Sequence, residues 1–335
     1  MDRLRIALVG CGNVGRAFVR MLEGRRDLIR GTYGADPVIT SVVTGHGGVV
    51  REDGIDAAAL RAEDLDPAID ALSVIDAGAY DVLVELTPTN IRSGQPATDH
   101  IRHALSRGRH VVTANKGPVA WFYRELRDLA AEKGVAFLHE SAVLSGAPVF
   151  NLSRETLIGC RVTAVRGIVN TTTNFVLSQM RDGASLDEAL EEGRRQGFVE
   201  ADPSLDLDGW DAAAKLCVLM NVLMDAHVTP MDIRRTGIRG VTAEDLAAAR
   251  RTGGQIRLVC HGWLDEDGAP MGVVEPVVVE PGDIAHITEG TMSFVTLITD
   301  LMGDISIIEH AHEPEIDHPA YGVFCDVLRI LRSYR

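Results

Sequence analysis

Over the first 140 residues, short apolar runs alternate with stretches of helical period. Arg5–Gly10 (RIALVG) is nearly unbroken in its apolar character, as a strand buried on both faces requires. It leads through Gly10-Cys11-Gly12-Asn13-Val14-Gly15 into RAFVRMLEG, where Phe18, Val19, Met21 and Leu22 recur at helical spacing. Pro37–Thr44 predicts a second strand and Tyr80–Pro88 a third. Ala97–Gly108 reads as a helix with a glycine stop, and His110–Gly117 as a fourth strand with a polar tip. A helix over residues 121–134 and a fifth strand over 135–140 follow. This alternation predicts a doubly wound parallel sheet.

Beyond about Glu140 the texture changes. Cys160–Asn170 is β-like, and Thr172–Met180 and Leu186–Gln196 have helical period. Asp211–Met224 is apolar on most sides, which predicts a buried helix. Residues 256–306 alternate as strands, with turn signals at Asp267-Gly268 and Pro281-Gly282. This half reads as α+β, a mixed sheet covering the apolar helix. Pro319–Arg335 has the pattern of an amphipathic helix.

Gly10-x-Gly12-x-x-Gly15 lies where the first strand turns into the first helix. At such a turn the first glycine permits the bend, the second lets a diphosphate approach the backbone, and the third lets helix and strand pack closely. The helix N-terminus, with Asn13 and Val14 in its first turn, then faces the phosphates. An NAD site often carries an acid at the end of the second strand. Here that strand ends Val43-Thr44-Gly45-His46, with no carboxylate. Arg51, a few residues on, is a candidate partner for a 2′-phosphate, and a solvated loop charge is the other reading. NADP and NAD both stay open, with a lean to NADP.

Composition narrows the classes. In 335 residues there are 33 Lys and Arg against 48 Asp and Glu, a net charge of −15. So acidic a chain argues against nucleic acid or an anionic membrane surface as partner. No apolar run reaches the roughly 18–20 residues of a membrane span. The five cysteines are scattered without CxxC spacing, which argues against a disulfide framework or structural zinc and points to a cytoplasmic setting.

Two polar segments carry candidate chemistry. Thr113-Ala114-Asn115-Lys116-Gly117 ends a strand of the parallel sheet, on the edge where such sheets place ligands. An amine there can protonate a substrate oxygen. The second segment, Glu200 to Lys215, includes Asp202, Asp206, Asp208 and Asp211 before the apolar helix. Asp211 and Lys215 are four apart and share a helix face. A buried lysine needs a carboxylate partner, and carboxylates around it make a receptor for an ammonium group beside a reducible carbonyl. A solvated acidic helix start is the plainer alternative.

These residues resemble the homoserine dehydrogenase family over roughly residues 4–308. The resemblance rests on IALVGCGNVG, DVLVELTPTN, GRHVVTANKGPVA, HESAVLSGAPV, GIVNTTTNF and GFVEADPSLDLDGWDAAAKL. It implies an α/β chain: an N-terminal Rossmann-type doubly wound parallel sheet over residues 1–139, and an α+β catalytic and dimerisation domain with a mixed sheet over 140–308. A C-terminal loop and helix, 309–335, would return to the first domain. The implied activity is NAD(P)-dependent interconversion of aspartate semialdehyde and homoserine, in amino-acid biosynthesis, by a cytoplasmic homodimer.

The same resemblance assigns proton transfer and hydroxyl binding to Lys116 and Lys215. It has Glu200, Asp206 and Asp211 holding the amino group or orienting the lysine, with Thr173 and Asn174 lining the substrate. Thr87, Pro88, Asn115 and Lys116 would flank the nicotinamide. Glu140 and the carbonyls of Val143, Ser145 and Ala147 would hold a monovalent cation such as Na⁺. Long members of the family carry a fused kinase or an ACT domain. The chain as read to Arg335 shows neither, so threonine feedback through such a domain is not expected.

Two segments depart from the family pattern. Thr171 stands where the family has glycine, in Asn170-Thr171-Thr172-Thr173-Asn174, and a β-branched residue there would reshape the pocket if the position needs a positive φ. Residues 309–321 replace a glycine-rich loop with acids and with His310, His312 and His318. That loop admits a metal reading, with a solvated acidic loop as the plainer one. Both departures leave a different small amino or hydroxy aldehyde as an alternative substrate. An inactive nucleotide-binding regulatory protein is the rival from another class.

Overall fold

The computed structural model describes residues 2–310 and 317–333. The chain forms two compact units, one of residues 2–148 with 317–333 and one of residues 149–310.

In the first unit the apolar runs form a six-stranded sheet. Its elements are β1 (Asp2–Val9), α1 (Asn13–Gly24), α2 (Arg26–Tyr33), β2 (Ala35–Thr44), β3 (Gly47–Val50) and α3 (Ala71–Ala77). They continue with β4 (Val82–Glu85), α4 (Ala97–Ser106), β5 (His110–Thr113), α5 (Lys116–Lys133) and β6 (Phe137–Leu138). The order is β3-β2-β1-β4-β5-β6, and all neighbours are parallel except the β2–β3 hairpin. The chain switches direction between β1 and β4, so ligands belong at their carboxyl ends. Burial on both faces explains the unbroken apolar runs: Ile6, Leu8, Val82, Val84, Val111 and Val112 are fully buried.

Two segments depart from the sequence-based expectation. The expected fourth strand stops at Thr113, and Lys116 is already the first residue of α5, because Asn115 caps that helix by accepting from the Gly117 N–H at 3.1 Å. The β3 strand, absent from the expectation, turns the chain back along β2.

The first unit also runs past the expected boundary at residue 139. Glu140–Ala142 and the loop after it are tied to the C-terminal helix (Asp317–Ser333). The Glu140 N–H donates to Asp326 Oδ2 at 2.9 Å and Ser141 Oγ donates to the Pro319 carbonyl at 2.7 Å. A Cβ on Gly146 would sit 2.4 Å from the His318 carbonyl oxygen. The two hydrogen bonds join residues 186 and 178 positions apart, which local periodicity does not report. Ala320, Val323, Phe324, Val327 and Ile330 of the helix join the core formed by Phe18, Val19 and Leu22 of α1.

The second unit holds α6 (Val149–Thr156), β7 (Val162–Ile168), α7 (Thr171–Arg181), α8 (Leu186–Gln196), α9 (Ser204–Leu207) and α10 (Trp210–Met224). It continues with β8 (Arg234–Arg235), α11 (Ala243–Arg251), β9 (Gln255–Leu264), β10 (Pro270–Val279), α12 (Ile284–Ile287), β11 (Ser293–Thr299) and β12 (Gly303–Glu309). The sheet order is β12-β11-β7-β9-β10-β8, antiparallel except for β8 against β10, so it is mixed. Asp267-Gly268 lies in the β9–β10 turn, whereas Pro281-Gly282 leads into α12 rather than closing a hairpin. The apolar α10 packs on one face of this sheet. A Cβ on Gly262 would stand 2.6 Å from Met220 Sδ, and one on Gly272 would stand 3.2 Å from it, so the two glycines let helix and sheet approach.

Candidate active site

At the carboxyl end of β1 the three glycines divide the work by geometry. Gly10 has φ +95°, and a Cβ there would be 2.3 Å from the Leu86 carbonyl oxygen and 2.7 Å from the Thr87 nitrogen. A Cβ on Gly15 would be 2.6 Å from the Gly10 carbonyl oxygen. Gly12 is exposed, and a Cβ there would meet nothing within 4 Å. Gly10 and Gly15 are therefore demanded by packing, and Gly12 faces open space. The α1 N-terminus has neither a side-chain cap nor an acid in its first turn. The orphan N–H groups around Asn13, Val14 and Gly15 are left for an anion. That cradle fits the diphosphate of a dinucleotide.

Beside it lie Thr87 and Pro88, the first half-buried and the second exposed, just past the end of β4. Asn115 Nδ2 donates to the Thr87 carbonyl at 3.3 Å, so the tips of β4 and β5 are joined. Lys116, half-buried, follows directly at the start of α5. Arg51 is elsewhere. It follows β3, its N–H donates to the Thr40 carbonyl at 2.9 Å, and it is exposed. The hairpin has carried it back along β2, away from the carboxyl end at Thr44. The turn there consists of Gly45 and His46, both exposed.

In the second unit, the acidic segment and the end of β7 converge on one side chain. Asn170 Nδ2 donates to Asp206 Oδ1 at 2.7 Å and to Asp211 Oδ2 at 2.9 Å. Its Oδ1 accepts from the Thr173 N–H and from Thr173 Oγ1, each at 2.8 Å, and so caps α7. Lys215 Nζ stands 3.4 Å from Asp211 Oδ2 and donates to the Val169 carbonyl at 2.7 Å. Lys215 and Asp211 keep 18% and 14% of their side-chain surfaces exposed, enough for a ligand to touch them. Two carboxylates bridged by one amide, each still partly open to solvent, are groups that can receive an ammonium group of a ligand. Cys260 lies behind this helix, its thiol pushed up to about 12 by burial, and is no nucleophile at neutral pH.

Residues 148–328 match the family model for homoserine dehydrogenase, and residues 10–140 match the model for the homoserine dehydrogenase NAD-binding domain. The chain belongs to the homoserine dehydrogenase family. A homoserine dehydrogenase of Methanocaldococcus jannaschii is 33% identical, with 98% of each chain covered. An NAD(+)-dependent homoserine dehydrogenase of Pseudomonas canavaninivorans is 35% identical, over 92% of this chain and 91% of that one. The solved structure of a hyperthermophilic archaeal homoserine dehydrogenase in complex with NADPH matches with a TM-score of 0.83 at 25% identity, over 99% of each chain. The protein is an NAD(P)-dependent oxidoreductase, with NAD or NADP as cofactor.

Within this family member, two residues expected at the substrate are buried and make hydrogen bonds inside the protein. Thr173 is fully buried and spends its N–H and hydroxyl on Asn170. Asn174 is fully buried, and its amide donates to the carbonyls of Thr288 and Met292 at 3.2 and 3.0 Å. Helical phase turns both inward, a detail that the motif's spelling does not carry. Thr171 is the first residue of α7 and has no positive φ, so its β-branched side chain costs the backbone nothing there. Glu200 is exposed and makes no hydrogen bond or ion pair among the described residues.

Two residues outside the expected set join the candidate residues, one in each unit. Asn170 was visible only as part of a motif, because its reach to Asp206 and Asp211 spans 36 and 41 positions. Glu85, at the end of β4, is fully buried against Thr87 and Thr113 and reads in sequence as one polar residue in an apolar strand.

The expected cation loop is folded and buried at Glu140 and Val143, with Ser145 at φ 44°. Asp326 of the C-terminal helix adds a second buried carboxyl group beside Glu140. Carboxylate and carbonyl oxygens are the donors a hard cation takes. Of the acidic C-terminal loop, His312, Glu313 and Glu315 lie outside the described residues. Among the described residues no group of three or more His, Cys, Asp or Glu is arranged to hold a metal. No helix among them is long and apolar enough to cross a membrane.

Proposed function

We propose that this protein interconverts L-aspartate 4-semialdehyde and L-homoserine, with Asp206 and Asp211 receiving the substrate ammonium and Lys215 or Lys116 serving the reacting oxygen. The observation that carries the reading is the Asp206–Asn170–Asp211–Lys215 cluster at the head of a buried helix. A bound nicotinamide supplies the hydride for the aldehyde carbon. Gly12 and the open N-terminus of α1 hold the diphosphate, and Thr87, Pro88 and Asn115 line the far end of that site. Lys215, oriented by Asp211 and the Val169 carbonyl, binds the aldehyde oxygen. A lysine Nζ then gives up a proton to the forming alkoxide, and takes one in the reverse direction. Burial around Lys215 strengthens the attraction between its charge and the developing oxyanion.

Glu140, with the carbonyls of Val143, Ser145 and Ala147, is the proposed seat of a monovalent cation. The proposed assembly is a homodimer in the cytoplasm. Its contact surface is the sheet face opposite α10, where Trp263 and the 44%-exposed Met271 pair across β9 and β10.

The test is steady-state oxidation of homoserine and of 4-hydroxybutanoate, the analogue without the amino group, with each nucleotide. Homoserine should turn over with kcat/KM above about 10⁴ M⁻¹s⁻¹. The deaminated analogue should be poorer by at least about 10²-fold, since buried charges left unpaired cost several kcal/mol. Equal turnover of the two would remove the carboxylates from substrate recognition.

A further inference from the structure

The two carboxylates bridged by Asn170 stand on different helices. Asp206 belongs to α9 and Asp211 to the first turn of α10, and only Asp208 and Gly209 separate the two helices. A helix as short as α9 does not hold its own shape in water, because its first turn fixes several residues for one hydrogen bond. The corner after it is sharp, with Gly209 at φ +76°. The separation of Asp206 from Asp211 is therefore set from outside the segment that carries them.

The stretch from β8 to Arg239 supplies that support. The N–H of the fully buried Ile238 donates to the Leu207 carbonyl at 2.8 Å. A Cβ on Gly237 would stand 2.7 Å from Asp208 Cα, so the stretch lies directly against the corner. Arg235 reaches both sides of it. Its Nε donates to the Asp208 carbonyl at 3.1 Å, and its guanidinium carbon sits 3.4 Å from the centre of the Trp210 ring. Its stem crosses Gly209, where a Cβ would be 3.3 Å from Arg235 Cγ. Arg235 is itself anchored, since β8 pairs with β10 at Val274 and the Thr236 N–H donates to the Val274 carbonyl at 2.8 Å. Arg239 holds the α9 side alone, with Nε donating to Asp208 Oδ1 at 2.6 Å and Nη2 to Ser204 Oγ at 3.2 Å. Both partners of that ion pair are about half exposed, so it contributes little.

We propose that Arg235 is a positioning residue for substrate recognition: by spanning the Asp208–Gly209–Trp210 corner it keeps Asp206 and Asp211 at the spacing at which both share the Asn170 amide and receive the substrate ammonium. The inference rests on the reading of that cluster as the ammonium site. Arg235 acts through the corner on the two carboxylates. Its charge alone would act the other way, since a nearby cation disfavours a cationic ligand. Removing Arg235 thus separates position from charge by the sign of the effect.

The experiment is steady-state oxidation of homoserine and of 4-hydroxybutanoate at saturating nucleotide, for the wild type and for variants of the corner. Arg235→Ala should lower kcat/KM for homoserine about tenfold, the scale of one hydrogen bond and one stacked cation together, chiefly through KM. The analogue without the amino group should change less than about twofold, so the preference for homoserine contracts about tenfold. Arg235→Lys keeps the charge but neither the flat guanidinium nor its Nε, and should resemble the alanine variant. Arg239→Ala removes a cation from the same corner and should leave the preference within about twofold of the wild type.

A preference unmoved or raised by Arg235→Ala, or restored in full by Arg235→Lys, overturns the proposal. A merely structural role would lower the melting temperature and depress both substrates together, which overturns it as well. Equal turnover of the two substrates by the wild type overturns the ammonium site first, and the proposal with it. Should Arg235→Ala not fold, Trp210→Leu, which removes the stack and keeps the bond to the Asp208 carbonyl, decides by the same ratio.

Discussion

Asp206 and Asp211 are held together by a single amide: Asn170 Nδ2 donates to one carboxylate at 2.7 Å and to the other at 2.9 Å. Its carbonyl is committed to the α7 cap, so the amide orientation is unambiguous. Like charges so close repel, and the bridge offsets that repulsion by giving both carboxylates one shared donor. Asn170→Ala should therefore lower kcat/KM for homoserine by about 10- to 100-fold, since hydrogen bonds to charged groups contribute about 1.5–3 kcal/mol. Nucleotide affinity, measured by fluorescence titration, should stay at the wild-type value. Asn170→Asp adds a third carboxylate and should be worse than the alanine variant.

The lysines have distinguishable signatures. Lys215→Ala leaves Asp211 without its ammonium partner and should reduce kcat by about 10²–10⁴-fold, with unchanged cofactor affinity. Lys116→Ala, at the α5 N-terminus beside Asn115, should reduce kcat by a similar factor if it too serves proton transfer. Near-normal turnover in either variant excludes that residue from the chemistry.

Gly10 and Gly12 should fail in opposite ways. A Cβ at Gly12 would meet nothing within 4 Å in the protein but would enter the place proposed for the diphosphate, so Gly12→Val should keep the wild-type melting temperature and lose nucleotide binding. At Gly10 the left-handed φ and the 2.3 Å approach to Leu86 oppose any side chain. Gly10→Ala should thus lower the melting temperature by several degrees, since about 1 kcal/mol corresponds to roughly 2–4 °C in a unit of about 150–250 residues. Thermal melts and titrations on both variants check this.

Arg51 follows a strand that returns along β2, and its N–H pairs with Thr40 rather than with the carboxyl end of the sheet. Arg51→Ala should leave the ratio of NADP to NAD affinity near its wild-type value. Loss of a direct bond to a 2′-phosphate would instead move that ratio about 10- to 100-fold.

Asp36 is one contributor to acid stability in the first unit, beside Asp81. Hydrogen bonds from Arg26, and then from Arg30, hold the Asp36 carboxyl down to about 2, against 3.8 for the free group. The folded form binds the proton more weakly than the unfolded one. The stabilisation is therefore complete above about pH 4 and is lost as pH falls toward 2. Asp36→Asn should remove this part of the acid limb in pH-dependent urea unfolding and leave the rest of the profile in place. Solvent around the pair keeps its effect small.

Much of this protein is determined by sequence alone, for local reasons. The nucleotide-binding turn is legible because its three glycines, the strand before them and the helix after them are contiguous, although the steric demand on Gly10 comes from Leu86 on the neighbouring strand. The buried α10 is legible because residues 212–221 are apolar on nearly every side apart from Lys215, and Asp211 stands one turn before that lysine. The β3 hairpin was hidden, since Gly47–Val50 is too short to show a period, and its presence is what removes Arg51 from the ligand edge. Helical phase at α7 turned Thr173 and Asn174 inward although the motif containing them was recognised. The Asn170 bridge, the bond between Glu85 and Thr113 and the tie between Glu140 and Asp326 join residues from 28 to 186 positions apart. Such bonds depend on which strand ends lie side by side and which helix closes the core, and only the folded chain decides that.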